Sequence, residues 1–184
     1  MAYKTILVHL NDKRRAAQLL APAVALASKW NAHLVGLHVF PAVPRLAPMG
    51  IDIAGDIVGE IVATLRRDAE QLRAVFDRVT ANQPLVAEWV CFKATNADLA
   101  DVVMQHGRTA DLIVASQADP DWELSPVFDF PERLAVESGR PVLVVPNTGQ
   151  FHTIGRNVVL AWNGSREAAR AAFDALPLLT EARE

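Results

Sequence analysis

Thr5-Ile6-Leu7-Val8-His9-Leu10-Asn11 decides how this 184-residue chain is read, because the sequence states it twice. Asn157-Val158-Val159-Leu160-Ala161-Trp162-Asn163 repeats its pattern near the other end, and the likeness continues beyond the apolar run. Arg14 falls on Arg166, Ala16 on Ala168 and Ala17 on Ala169. Each copy is an apolar run ending in Asn, then a short polar turn, then an Ala-rich amphipathic segment. That pattern predicts a buried strand feeding a helix. The first copy has room around it for the centre of a parallel sheet.

Working outward, the same alternation recurs. A helix is predicted from about Arg14 to Trp30, with Ala16, Leu19, Leu20, Ala23, Ala27 and Trp30 on one stripe and a kink or break at Pro22. His33 to Val39 reads as a second strand, ended by a loop carrying Pro41, Pro44 and Pro48. Residues 52 to 81 offer a long helix with Ile57, Ile61, Leu65, Leu72, Phe76 and Val79 inward. Its cluster of Arg66, Arg67, Asp68, Glu70 and Arg73 is a solvated face. Val86 to Phe92 is a third strand. Thr95-Asn96-Ala97-Asp98 has capping-box spacing, and Gly107 is the expected end of the short helix it opens. Asp111 to Ala115 is a fourth strand, followed by a polar loop from Ser116 to Phe128. A helix restarts at Asp129-Phe130-Pro131-Glu132 and ends at Gly139, and Pro141 to Pro146 is the fifth strand.

Strand and helix in alternation make a parallel sheet covered by helices on both faces through right-handed crossovers. Ligands of such sheets sit outside the carboxyl ends of the strands, where strand order reverses. The rule directs attention to Asn11-Asp12, to His38–Phe40 and to the loop from Ser116 to Asp129.

Composition narrows the function classes. Half the residues are hydrophobic, about a fifth are charged, and the formal net charge is -3. That balance speaks against a broad nucleic-acid footprint, which needs a clustered basic face. No apolar stretch reaches the roughly 20 residues of a membrane span, and the N-terminus shows no signal-peptide pattern. The expectation is a cytoplasmic protein with neither membrane nor nucleic-acid partners. Cys91 is the only cysteine, which rules out an internal disulfide and a thiolate metal cluster.

Residues 3–146 resemble a universal stress protein (UspA-like) domain. The resemblance rests on Tyr3-Lys4-Thr5-Ile6-Leu7-Val8, Gly36-Leu37-His38-Val39, Ala110-Asp111-Leu112-Ile113-Val114 and Ser138-Gly139-Arg140-Pro141-Val142-Leu143-Val144-Val145-Pro146. It implies a five-stranded Rossmann-like sheet in the order 3-2-1-4-5, a role in stress survival rather than a defined reaction, and a homodimer or domain–domain pairing through the last strand. The organisation read from it is a UspA-like domain at 1–146, a linker at 147–156, and the first strand and helix of a second, incomplete domain at 157–184. Three arrangements of that last piece are open: a tandem sequence cut short, which is favoured, docking on the first domain, or exchange between chains. Asn163-Gly164-Ser165 makes its first turn a better phosphate or nucleoside turn than Asn11-Asp12-Lys13.

ATP binders of that family carry G-x-x-G, nine residues, then G and Ser or Thr after the fourth strand. Glycines let backbone amides approach phosphates closely. Here the stretch from Ala115 to Asp129 contains no glycine and carries Asp119, Asp121, Glu123 and Asp129. Binders usually place Asp at the end of the first strand; Asn11 stands there. The expectation is therefore a non-enzymatic protein acting by binding or dimerisation, with no cofactor. The alternative is an ATP- or AMP-binding, slowly hydrolysing module. Asn11, Asp12, Val39, Ser116 and Gln117 are the candidate residues of a degenerate nucleoside pocket.

Sharper chemistries weigh less. His9 and His38 end neighbouring strands, but no third ligand stands at metal spacing. Ser116 lacks the Gly-x-Ser-x-Gly elbow of a nucleophile. Cys91, in a strand between Val90 and Phe92, is expected to be an inert small hydrophobe. Trp122 and Phe128 either grip a partner or pack down as a lid on the sheet end.

Overall fold

The computed structural model describes residues 2–42, 55–94 and 98–183. Its elements are β1 (Thr5–His9), α1 (Ala16–Trp30), β2 (His33–Pro41), α2 (Gly55–Thr80), β3 (Ala87–Ala94), α3 (Leu99–Gly107) and β4 (Leu112–Ser116). There follow α4 (Ser125–Phe128), α5 (Pro131–Glu137), β5 (Val142–Val145), α6 (Arg166–Asp174) and α7 (Leu176–Leu179). The five strands form one parallel sheet in the order β3-β2-β1-β4-β5.

β1 is central because it can bury both faces. Ile6 pairs with Leu34 on one side and Leu112 on the other, and Ile6 and Val8 are fully buried. Alternation along the strand divides the core in two. Ile6 and Val8 join Leu20, Ala27, Leu72 and Phe76 on the α1–α2 face, whereas Leu7 joins Leu37, Val103, Ile113 and Leu134 on the α3–α5 face. The Asp111 carboxylate accepts the Lys4 and Thr5 amides at 2.7 and 3.0 Å and fixes where β1 starts beside β4.

Glycine matters most at Gly36. A Cβ there would lie 2.6 Å from the Phe76 ring and 3.1 Å from Trp89, so α2 closes onto β2 only over a bare backbone. Gly107 plays a similar part against Ile113.

Several expectations are corrected. α1 runs unbroken through Pro22, whose ring is buried; the apolar stripe on either side of it holds the helix against the sheet despite the missing N–H. Asp98, not Thr95, caps α3: its side chain accepts the Ala100 amide at 2.9 Å. Thr95, Asn96 and Ala97 lie outside the described residues, as do Pro44, Pro48 and the start of the long helix at Asp52. Cys91 is exposed on the edge strand β3, and such burial as it has pushes its thiol up.

The largest correction concerns the second copy of the opening stretch. Residues 157–163 form no strand; Val159 is 96% exposed and Trp162 59%. A strand exists only by pairing, and among the described residues no backbone pairs with this one. Its helix needs no such partner and does form, with the Ser165 hydroxyl accepting the Ala168 amide at 3.1 Å as N-cap.

The C-terminal segment is docked on the domain. Tyr3 Oη donates to the Asp174 carbonyl at 2.6 Å, and Trp30 Nε1 donates to Glu181 at 3.2 Å. Lys29 pairs with the same Glu181. Phe151, Ile154 and Leu178 pack against the α1–α2 core. Between this segment and the β4–β5 edge lies a cavity of about 620 Å³, lined by Tyr3, Leu112, Val142, Arg170 and Leu178 among others. It faces the amino ends of β1, β4 and β5, away from the switch point.

Candidate functional site at the carboxyl ends of the strands

Strand order reverses between β1 and β4, so the residues leaving those strands meet. Asn11 and Asp12 follow β1, and Ser116 ends β4; all are buried. What joins them is a residue from the glycine-free loop, Asp129, whose side chain is fully buried.

The short helix α4 explains how it arrives there. Ser125 and Asp129 stand one helical turn apart and therefore point the same way. Asp129 Oδ1 accepts from Asn11 Nδ2 at 2.5 Å, Ser116 Oγ at 3.0 Å and Arg15 Nη2 at 3.2 Å. Oδ2 accepts from Ser125 Oγ at 2.8 Å, the Asp119 amide at 3.2 Å and Arg15 Nη2 at 3.1 Å. A buried carboxylate is tolerated only when paired and hydrogen-bonded, and this one is supplied on both oxygens.

Arg15 is the cation of the cluster, with its side chain 11% exposed. Beyond Asp129 it reaches Asp12 Oδ2 at 3.1 Å, the Gln117 carbonyl at 3.0 Å and Asn147 Oδ1 at 2.6 Å. One planar guanidinium thus ties together the segments that follow β1, β4 and β5. Burial alone would raise Asp12, but the hydrogen bonds and charge of Arg14, with the charge of Arg15, hold its carboxyl below the usual range.

Trp122 completes the cover. It stacks on Phe128 with centroids 5.7 Å apart, and the guanidinium groups of Arg14 and Arg15 lie 5.6 and 5.4 Å from its ring. Of the two roles open for these aromatics, the lid is the one realised: Phe128 is buried and Trp122 is half-buried against it.

The histidines sit beneath. His38 Nδ1 lies 2.7 Å from the Leu10 carbonyl, an acceptor, so Nδ1 carries the proton. His9 stacks on Phe130 at 5.1 Å. Burial, then the nearby His38, push His9 down to about 3, against a smaller opposing pull from Asp129. His38 is lowered too, chiefly by burial. Among the described residues no group of three or more His, Cys, Asp or Glu side chains is arranged to hold a metal ion. Nor is any described helix long and apolar enough to cross a membrane.

Of the candidates named from sequence, Asn11, Asp12 and Ser116 are brought into one cluster. Val39 is fully buried in the α3–α5 core, and Gln117 contributes its backbone, donating to Val145 O at 2.9 Å, while its side chain accepts from the Asn147 amide. Sequence reasoning missed Arg15, Ser125 and the inward turn of Asp129. The Ser125–Asp129 spacing was the available signal.

Compared as sequence, the chain matches no protein-family profile and no curated protein. Compared as structure, it is similar to the universal stress protein UspA from Lactobacillus plantarum, with 16% identity and a TM-score of 0.58, over 79% of this chain and 99% of that one. It is also similar to a protein of the universal stress protein family from Burkholderia pseudomallei, with 23% identity and a TM-score of 0.52, over 78% and 96% of the two chains. The fold is that of a universal stress protein. At the switch point of this chain, Asp129 of its own loop holds the residues that leave β1 and β4.

Proposed function

We propose that this protein is a non-enzymatic binding protein built on the universal stress protein fold, and that its cleft does not hold the phosphates of ATP. The observation that carries the reading is Asp129. A triphosphate at the switch point would meet a buried carboxylate that already takes the hydrogen bonds of Asn11, Arg15, Ser116 and Ser125. Asp119, Asp121 and Glu123 add negative charge to the same loop. No group in the cluster has the arrangement of a nucleophile with its base: the Ser116 hydroxyl donates to Asp129, and His9 lies stacked on Phe130. The stress-response role follows from the fold by analogy. For association, the edge strand β5 supports pairing with a second copy, since Val144 on it is 40% exposed.

The test is calorimetric titration of the 184-residue chain with ATP and with AMP, with its mass in solution measured alongside. Absence of heat from either, with a dimeric mass, is the expected result. Micromolar ATP binding would overturn the reading. AMP binding without ATP binding would keep the exclusion of the triphosphate and restore a pocket for the nucleoside.

A further inference from the structure

The groups around Asp129 are all hydrogen-bond donors, and they converge on one point. Two serine hydroxyls, a carboxamide N–H, a backbone amide and a guanidinium N–H approach the carboxylate from Asn11, Arg15, Ser116, Asp119 and Ser125. They come from segments far apart in the chain, so their convergence is a property of the fold and not of one turn. A hydroxyl can donate or accept, and the carboxylate's own needs would be met by fewer groups. Five groups that all donate to one carboxylate, centred on an arginine that Asp12 also holds, have the chemistry of an oxyanion site.

We infer that the cluster is an oxyanion-binding cup whose occupant is the chain's own Asp129 carboxylate, which latches the loop from Gln117 to Phe130 shut over the strand ends. The inference rests on the proposed phosphate exclusion and gives its cause: the donors are present, and an internal anion holds them. The Asp119 amide links the latch to the rest of the loop, because it donates both to Asp129 and, at 3.0 Å, to Ser125 Oγ. Trp122 and Phe128 close over the same point. The ligand class admitted when the carboxylate is removed is a small oxyanion, with inorganic phosphate as the probe.

Asp129→Ala in the full chain is the decisive variant, since it removes the anion and leaves a space lined by donors. Phosphate is expected to raise its melting temperature and to give a saturable heat, while wild type shows neither. Adding Ser116→Ala should weaken that binding roughly tenfold, the size of a lost hydrogen bond to a charged group. If Asp129→Ala does not fold, Asp129→Ser, which is neutral and smaller than the carboxylate, carries the same titration. A folded variant indifferent to phosphate overturns the inference while leaving the proposed function standing, because wild type would still bind no ATP. Phosphate binding unaffected by Ser116→Ala overturns it as well, since the anion would then sit elsewhere. ATP binding by wild type sinks the proposed function instead, and is read in a separate titration.

Discussion

Asn11 Nδ2 donates to Asp129 Oδ1 at 2.5 Å and to the Phe128 carbonyl at 2.8 Å, across 118 and 117 residues of chain. The amide at position 11 and the carboxylate at position 129 are complementary, and each makes the other's chemistry necessary. An aspartate at 11 would set two buried carboxylates face to face and would leave the Phe128 carbonyl without its donor. Asn11→Asp is expected to destabilise the fold by about 2–4 kcal/mol at pH 7, as for a buried charge left uncompensated. The penalty should shrink toward pH 4, where one proton can be shared. Urea unfolding midpoints at both pH values check this. A shift within about 0.5 kcal/mol at pH 7, typical of an unremarkable surface change, would remove Asn11 from the latch.

How much of this was visible in the sequence depends on how local each feature is. β1, β2 and β4 were legible because a strand largely buried on both faces reads as a near-continuous apolar run, and the edge strand β5 carries the same run although its Val144 is exposed. Residues 157–163 have the same run and form no strand, since pairing is supplied by other parts of the chain and is not encoded in the run itself. The loop after β4 was legible as glycine-free and acidic. Yet its acids were read together as a repelling surface, and one of them turns inward. Asp129 became a latch through Arg15, Ser116 and Asn11, none of which is near it in sequence. Only Ser125, one turn away, was a local clue.

Gly36 is predicted to tolerate no side chain. Its missing Cβ leaves room for the Phe76 ring, which would otherwise stand 2.6 Å away, with Trp89 close behind. Phe76 is buried at 2% exposure and cannot swing aside without losing its place over β2. Gly36→Ala should cost about 1–3 kcal/mol, the usual range for forcing a methyl group into a filled core. Thermal melts of the two proteins measure it, and an unchanged melting temperature would mean that α2 moves freely on the sheet.

The buried histidines predict an acid-sensitive fold. His9 titrates near 3 in the folded protein and near 6.5 when unfolded, so between those values the unfolded chain binds the extra proton. Its contribution is complete above about pH 6.5 and is lost as the pH falls toward 3. The slope reaches about 1.4 kcal/mol per pH unit within that window. His38, also lowered by burial, adds a loss of the same sign. Asp12, held low by its arginines, adds a further loss only once the pH drops into the carboxylate range. Stability measured by urea unfolding from pH 7.5 to 4 should fall steadily, and His9→Gln should flatten the curve. A wild-type curve flat from pH 7.5 to 4 would place His9 in contact with water.

The docked C-terminal segment makes a prediction about the helix it covers. Tyr3 and Trp30 meet edge to face with centroids 5.0 Å apart, and the segment caps this pair through Asp174 and Glu181. Leu178, Ile154 and Phe151 extend the same core outward, yet no residue of α6 is buried. The contact is thus a narrow one, centred on α7 and the turn at Gly155, where φ is 74° and a Cβ would lie 3.1 Å from the Leu178 side chain. Removing residues 151–184 should leave the sheet intact and lower its stability by about 2–4 kcal/mol, the scale of uncovering two or three buried side chains. Trp30 Nε1 would lose its partner and face water, so emission should shift to the red relative to a full chain carrying Trp162→Phe, which corrects for the exposed tryptophan lost with the segment. Leu178→Ala in the full chain should give a smaller loss in the same direction, with little change at Trp30. If the shortened chain melts at the same temperature with an unshifted Trp30, the segment does not hold this position in solution, and α1 is covered by something else or by nothing.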